Sequence, residues 1–284
     1  MTNTSLKCRL VMSLILLMCS SGCDWLVNSF AFHPMPGSQI DSQFHDPSLQ
    51  DIMFDSLDDI KLHAFYFPRP AHNRAVLFLH GNAGNASHRL PQAQQLANLG
   101  FNVLLLEYRG YGKSEGSPSE QGVYRDAKAA LDYLVKTRGF PKERIFIFGR
   151  SIGTAVAIEV AQHQPLGGLV LVSPLSSGRD MARQLSLSWL SWITGNPFDS
   201  VGKISQVSAP VLFIHGDRDH IIPIAMGRRL YDACPAPKEF RVVPGAGHND
   251  VIATAGAQFW EWVYVFINSI EPSPDMSLTT KEIV

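Results

Sequence analysis

Cysteine is scarce in this chain: Cys8, Cys19, Cys23 and Cys234 are the only four among 284 residues. Three of them crowd the N-terminus. Beyond Cys23 a single thiol remains, so that part of the chain cannot close an internal disulfide. Charge is also sparse, at 17% of residues, and balanced, with 24 Lys and Arg against 25 Asp and Glu. No run rich in Lys or Arg occurs, which argues against nucleic acid as a partner. Internal repeats and low-complexity tracts are missing, and that excludes solenoids and collagen-like chains. Apolar residues make up 45% of the whole, enough for a sizeable core and too many for wholesale disorder.

A long hydrophobic run is missing as well. The longest near the N-terminus, Leu10 to Cys19, spans about ten residues and is too short to cross a bilayer comfortably. Lys7 and Arg9 precede it and the small residues of "CSSG" follow, the order of a secretory signal peptide over residues 1–22. The stretch "CSSGCD" resembles the lipobox of bacterial lipoproteins, with Ser20 standing where Leu is usual. That resemblance implies cleavage before Cys23, lipidation of Cys23 and attachment to a membrane. Asp24 resembles the signal that retains such proteins in the inner membrane, with the domain on its periplasmic face. Losing Lys7 and Arg9 would take the formal net charge from −1 to −3. Residues 23–50, polar and broken by Pro34, Pro36 and Pro47, read as a tether. Trp25, Phe30 and Phe32 within it suit either a membrane interface or the domain surface. Residues 269–284 read as a polar tail.

Between them, over 51–268, apolar runs recur. "DIMFDS" and "LHAFYFP" predict two antiparallel strands joined at Asp58-Asp59. "AVLFLH", "FNVLLLEY", "RIFIFG", "GLVLVS", "PVLFIHG" and "FRVVPG" are nearly unbroken, as in strands covered on both faces of a parallel sheet. Helical patterns lie between most of them, at Ser87–Leu99, Ser119–Thr137, Ile152–His163, Ile224–Ala233 and Val251–Ile267. The alternation predicts one α/β domain with a mostly parallel central sheet and helices on both faces. Residues 176–205, with "LSLSWLSWITG", break the rhythm and read as a short lid insertion. If helical, Trp189, Trp192 and Ile193 share one face, which either packs the lid down or lines an acyl pocket.

"IFIFGRSIGTAVAIEV" runs from a buried strand into a helix within five residues, placing Ser151 between Gly149 and Gly153. Ligands of parallel sheets bind beyond the carboxyl ends of strands, and a serine there, on a turn that only glycines permit, is a nucleophile elbow. Serine needs a base and the base an acid. His248 in "VVPGAGHND" lies in the loop after the last strand, and "FIHGDRDHIIP" supplies Asp217 or Asp219 one strand earlier. Gly81 in "LFLHGNAGN" permits close backbone approach. The backbone N–H groups of Asn82 and Ile152 then suit an oxyanion hole. His80 reads as structural, and no second cluster of ligands supports a metal at "DRDH".

Taken in order, "HGNAGN", "EYRGYGKSEG", "GRSIG", "VSPLSS", "HGDRDHIIP" and "PGAGHND" resemble the serine hydrolases of the α/β-hydrolase superfamily. The likeness is greatest to the group that includes membrane-associated depalmitoylase-like and lysophospholipase-like proteins. It implies the α/β-hydrolase fold, a triad of Ser151, Asp219 and His248, and hydrolysis of an acyl ester or thioester, with lipids and acylated proteins among the candidate substrates. The family pattern H-G-x-x-D-x-x-[VI]-P selects Asp219 over Asp217. No cofactor and no metal are implied. Peptidases and amidases share these motifs, and a lipoprotein that keeps the fold only to bind a partner is a further alternative.

Overall fold

The computed structural model describes residues 27–37, 40–41, 44–190 and 195–270. Among the described residues ten strands are present: β1 (His33–Pro34), β2 (Gln50–Asp55), β3 (Lys61–Phe67), β4 (Ala75–Leu79), β5 (Ala83–Gly84), β6 (Asn102–Leu106), β7 (Ile145–Arg150), β8 (Gly168–Val172), β9 (Val211–Gly216) and β10 (Lys238–Val243). Eight of them form one sheet in the order β10-β9-β8-β7-β4-β6-β3-β2. The predicted hairpin β2–β3 is antiparallel and pairs antiparallel with β6, and every other neighbour is parallel.

The unbroken apolar runs have a direct cause. Leu77, Leu79, Ile145, Ile147, Leu169, Leu171, Val211 and Phe213 bury into one core. Their even-numbered neighbours Val76, Phe78, Phe146, Phe148, Val170, Val172, Leu212 and Ile214 bury into a second core on the opposite face. A strand covered on both faces has no position left for a polar side chain. The helices are α1 (Leu90–Asn98), α2 (Glu120–Asp132), α3 (Ile152–Ala161), α4 (Gly178–Gln184), α5 (Ser200–Ile204), α6 (Ile224–Ala233), α7 (Val251–Ala255) and α8 (Ala257–Ser269). α2, α3, α5 and α6 cover the first core, and α1 and α8 the second. α2 starts at Ser119, whose hydroxyl accepts the Gly122 N–H at 3.1 Å, and loosens into a π-type turn at Tyr133–Thr137. The single helix expected over Val251–Ile267 is broken at Gly256, where φ is +56°.

Two expectations are corrected. Over its described part, the stretch read as a tether lies on the domain. Residues 27–31 are helical, and β1 pairs parallel with β5. Phe32 is buried with its ring edge-on to Phe198, centroids 5.9 Å apart. The pull is hydrophobic burial, which composition averaged over residues 23–50 conceals. In the lid, Trp189 is 61% exposed and does not line the cavity over Ser151. Met181, Ala182, Leu185 and Leu187 form the pocket wall instead. The described part of the lid is short helical pieces, α4 and a turn at Ser188–Leu190. Trp192 and Ile193 lie outside the described residues, as do residues 1–26, with Cys23, and 271–284.

Candidate active site

β7 delivers Ser151 and α3 leaves from it. The serine sits at φ 55° and ψ −125°, a left-handed conformation that side chains disfavour. Its N–H is held by the Val172 carbonyl at 2.9 Å. Both flanking glycines are required. A Cβ on Gly149 would stand 2.7 Å from the Gly153 carbonyl oxygen, and one on Gly153 would stand 2.3 Å from the Leu79 carbonyl oxygen. Any side chain at 153 would therefore push α3 away from β4. The strained turn leaves the Ser151 hydroxyl half-exposed at the carboxyl edge of the sheet.

His248 arrives in the loop after β10. Its Nε2 lies 3.0 Å from Ser151 Oγ and its Nδ1 lies 2.8 Å from Asp219 Oδ2. A carboxylate only accepts, so Nδ1 carries the proton and the Nε2 lone pair accepts from the serine hydroxyl. Asp219 is buried. Burial pushes its carboxyl up, but hydrogen bonding from His215 and His248 and from the Ile222 N–H at 2.8 Å outweighs it, leaving the group well below the usual carboxylate range. It is thus a fixed anion at neutral pH. Asp217 turns elsewhere and accepts the Gly245 N–H at 2.7 Å.

The two candidate oxyanion donors are aimed by the same device. The Gly81 carbonyl oxygen lies 2.7 Å from His80 Nδ1, which swings the N–H of that peptide, belonging to Asn82, the opposite way. Thr154 holds the Ser151 carbonyl with its N–H at 2.9 Å and its hydroxyl at 2.6 Å, which does the same for the Ile152 N–H. The next peptide is fixed too: the Asn82 carbonyl accepts from Tyr111 Oη at 2.6 Å and from the His33 N–H at 3.0 Å. A Cβ on Gly81 would stand 3.4 Å from Ser151 Cβ, so glycine keeps the space above Ser151 open. Glu107, fully buried, accepts the Ala86 N–H at 2.8 Å and faces His80 and His63 from beneath the loop.

A cavity of about 440 Å³ opens over Ser151 and His248. Its wall is mostly apolar, from the lid and from Val27, Phe30 and Ala31 of the N-terminal segment. Arg89 and Arg150 also line it. Among the described residues no group of three His, Cys, Asp or Glu side chains could hold a metal ion. Sequence reasoning missed Thr154, Tyr111, Glu107, Arg89 and Arg150. Glu107 and Tyr111 belong to "EYRGYGKSEG", which entered the sequence reading only as part of the family resemblance.

The family model "Serine aminopeptidase, S33" matches residues 70–202, and that of the "alpha/beta hydrolase fold" matches residues 178–253. An uncharacterised protein of Mycobacterium tuberculosis is 40% identical over 208 residues, 72% of this chain and 74% of the relative. The α/β hydrolase domain-containing protein WAV2 of Arabidopsis thaliana is 33% identical over 246 residues, 78% of this chain and 80% of its own. Among solved structures, the Pyrococcus furiosus esterase Pf2001 superposes with a TM-score of 0.68 at 21% identity, over 82% of this chain and 99% of that one. At that identity the likeness speaks to the fold.

Proposed function

Because this chain belongs to the α/β-hydrolase superfamily, and its fold is that of a hydrolase, we propose that it is a serine hydrolase of carboxylic esters or thioesters. The observation that carries the reading is the continuous line from Asp219 through His248 to Ser151, at 2.8 and 3.0 Å, on a strained elbow. Ser151 Oγ attacks the acyl carbon as its proton passes to His248 Nε2. The carbonyl oxygen becomes an oxyanion between the Asn82 and Ile152 N–H groups, where one such donor is typically worth about 3 kcal/mol. Collapse breaks the bond to the leaving atom, which takes the proton from His248. Water, deprotonated by His248, then attacks the acyl-enzyme and releases Ser151 and the acid. Asp219 holds the imidazole in its working tautomer and balances the imidazolium.

The matched aminopeptidase model raises the alternative of an amide substrate with a free amine. The cavity lining argues against it: among the described residues it contains two arginines and no Asp or Glu to receive an ammonium. The apolar wall favours a medium or long acyl chain, each buried methylene contributing about 0.8 kcal/mol.

The test is labelling by a fluorophosphonate probe, followed by matched ester and amide panels. Wild type labels and turns over esters. Ser151→Ala loses labelling and at least about a thousandfold in turnover, while far-ultraviolet circular dichroism stays unchanged. Wild-type-like turnover by the alanine variant, or an unlabelled wild type, sinks the reading and favours a binding role.

The proposal extends to the membrane. Lipidation of Cys23 would tether the domain only a few residues ahead of Val27, which lines the cavity, and Phe30, Leu185 and Ile221 line that cavity while at least half exposed. Mass spectrometry of the mature N-terminus is expected to find a lipid-modified Cys23, and Cys23→Ser is expected to release the protein from the periplasmic face of the inner membrane. An unmodified terminus elsewhere contradicts it.

A further inference from the structure

We propose that Arg89 and Arg150 together receive an anionic oxygen group, a carboxylate or a phosphate, carried by the leaving part of the acyl substrate. The inference rests on the serine-hydrolase reading and names the class of substrate it acts on. Both arginines line the cavity that holds Ser151 and His248. Neither has a carboxylate partner among the described residues. Arg150 reaches only the main-chain carbonyls of His248 and Asn249, each at 3.3 Å. Arg89 reaches the Ala83 carbonyl at 3.2 Å, and its Nε is buried with no partner among the described residues.

Holding two cations this way is costly. Burial first, and the nearby Arg89 second, push Arg150 down to about 10 against the smaller opposing pull of the Asp219 carboxylate, so it stays charged at neutral pH but against resistance. Burial lowers Arg89 as well. An unpaired, half-buried pair of like charges is destabilising unless an anion joins it. The planar fork of arginine fits carboxylate and phosphate oxygens two at a time.

The position says which half of the substrate bears the charge. His248 gives its proton to the leaving atom, so the leaving group stands beside the imidazole. Arg150 grips the main chain of that same loop. The acyl chain has the apolar wall of Met181, Leu187 and Phe198 to lie against. A substrate that satisfies both regions is an amphiphile: an apolar acyl chain esterified to an anionic alcohol, phenol or thiol.

The experiment compares two matched pairs below their micellar concentrations: octanoyl glycerol phosphate against octanoyl glycerol, and octanoyloxy-nitrobenzoate against nitrophenyl octanoate. Wild type is expected to prefer the anionic member of at least one pair about tenfold in kcat/KM, chiefly through KM. The pair with the larger ratio distinguishes phosphate from carboxylate. Arg89→Gln is expected to collapse that ratio about fivefold or more, and Arg89→Lys to restore part of it. A wild-type ratio near one in both pairs, or a ratio that Arg89→Gln leaves alone, overturns the proposal while the hydrolase reading stands. Calorimetry on the Ser151→Ala protein separates the two ideas further. Octyl phosphate or octanoate binding more tightly than octanol, and losing that advantage in Ser151→Ala/Arg89→Gln, supports the anion site even if no ester is turned over. Equal binding of all three, with no turnover, sinks both.

Discussion

Arg109 and Arg150 both lie at the carboxyl ends of parallel strands, β6 and β7, which flank β4, and their surroundings are opposite. Arg109 is buried with Nε on Asp126 at 2.9 Å, Nη2 on Asp126 and Asp58 at 2.7 Å each and on Ser56 at 3.0 Å, and Nη1 on Asp58 at 2.9 Å. Its cation is answered from the β2–β3 turn and from α2, and it ties both to the "RGYG" turn. Arg150 has two long bonds to carbonyls and a second arginine for company. A guanidinium whose donors all find carboxylates or hydroxyls inside the fold is scaffold. One left with carbonyls beside an open cavity is available to something outside the fold.

Breaking the first cluster has the largest expected effect. Asp126→Ala leaves Arg109 desolvated with half its partners, and loss of about 3–5 kcal/mol is expected in urea unfolding. A loss below about 1 kcal/mol would mean that the network is not the clamp its geometry indicates.

Acid sharpens the contrast next. The Asp58 carboxyl lies far below its ordinary value, first through the hydrogen bond from Arg109 and against the opposing pull of burial, and Asp219 is depressed as well. Groups depressed in the folded state contribute stability that is complete above their unfolded value and drains as pH falls below about 4. Burial raises Asp126, which opposes this, but by less. Unfolding free energy is therefore expected to fall between about pH 4 and pH 2. Asp58→Asn should flatten that slope, and the arginine pair at the cavity should contribute nothing to it.

The smallest effect belongs to Arg89→Gln. Removing a cation with no carboxylate partner should shift stability by no more than about 0.5 kcal/mol, toward stabilisation if either way. A loss above about 1.5 kcal/mol in thermal or urea unfolding would assign Arg89 to the scaffold and erase the contrast with Arg109.

Much of the site was legible before any coordinates. The elbow was, because a serine at a positive φ between two close backbones demands glycine on each side, and glycine spacing is written in the chain. The chain order of serine, aspartate and histidine was legible too, since each stands just past a strand. Asp219 was separated from Asp217 only by resemblance to a family pattern. The structure brings Asp219 to His248 and turns Asp217 toward Gly245. The roles of His80 and Thr154 in rotating two peptides were not legible, because nothing in residue type announces which carbonyl a side chain will hold. Nor was the docking of Phe32 against Phe198, which lie far apart in the chain.

By itself, then, the sequence determined what is local: strands from apolar runs with no polar interruption, helices from the patterns between them, and a turn that only two glycines allow. Hydrophobic periodicity and steric limits on backbone angles act over a few residues, so they can be read from a few residues. The tertiary structure decided what meets across distance. Arg150 and His248 stand 98 positions apart in the chain and share a hydrogen bond only because β7 and the β10 loop open on the same edge of one sheet. Arg89 joins them from the segment after β5. Strand order and crossover direction, which no local pattern encodes, set that convergence, and with it the charge of the cavity above Ser151.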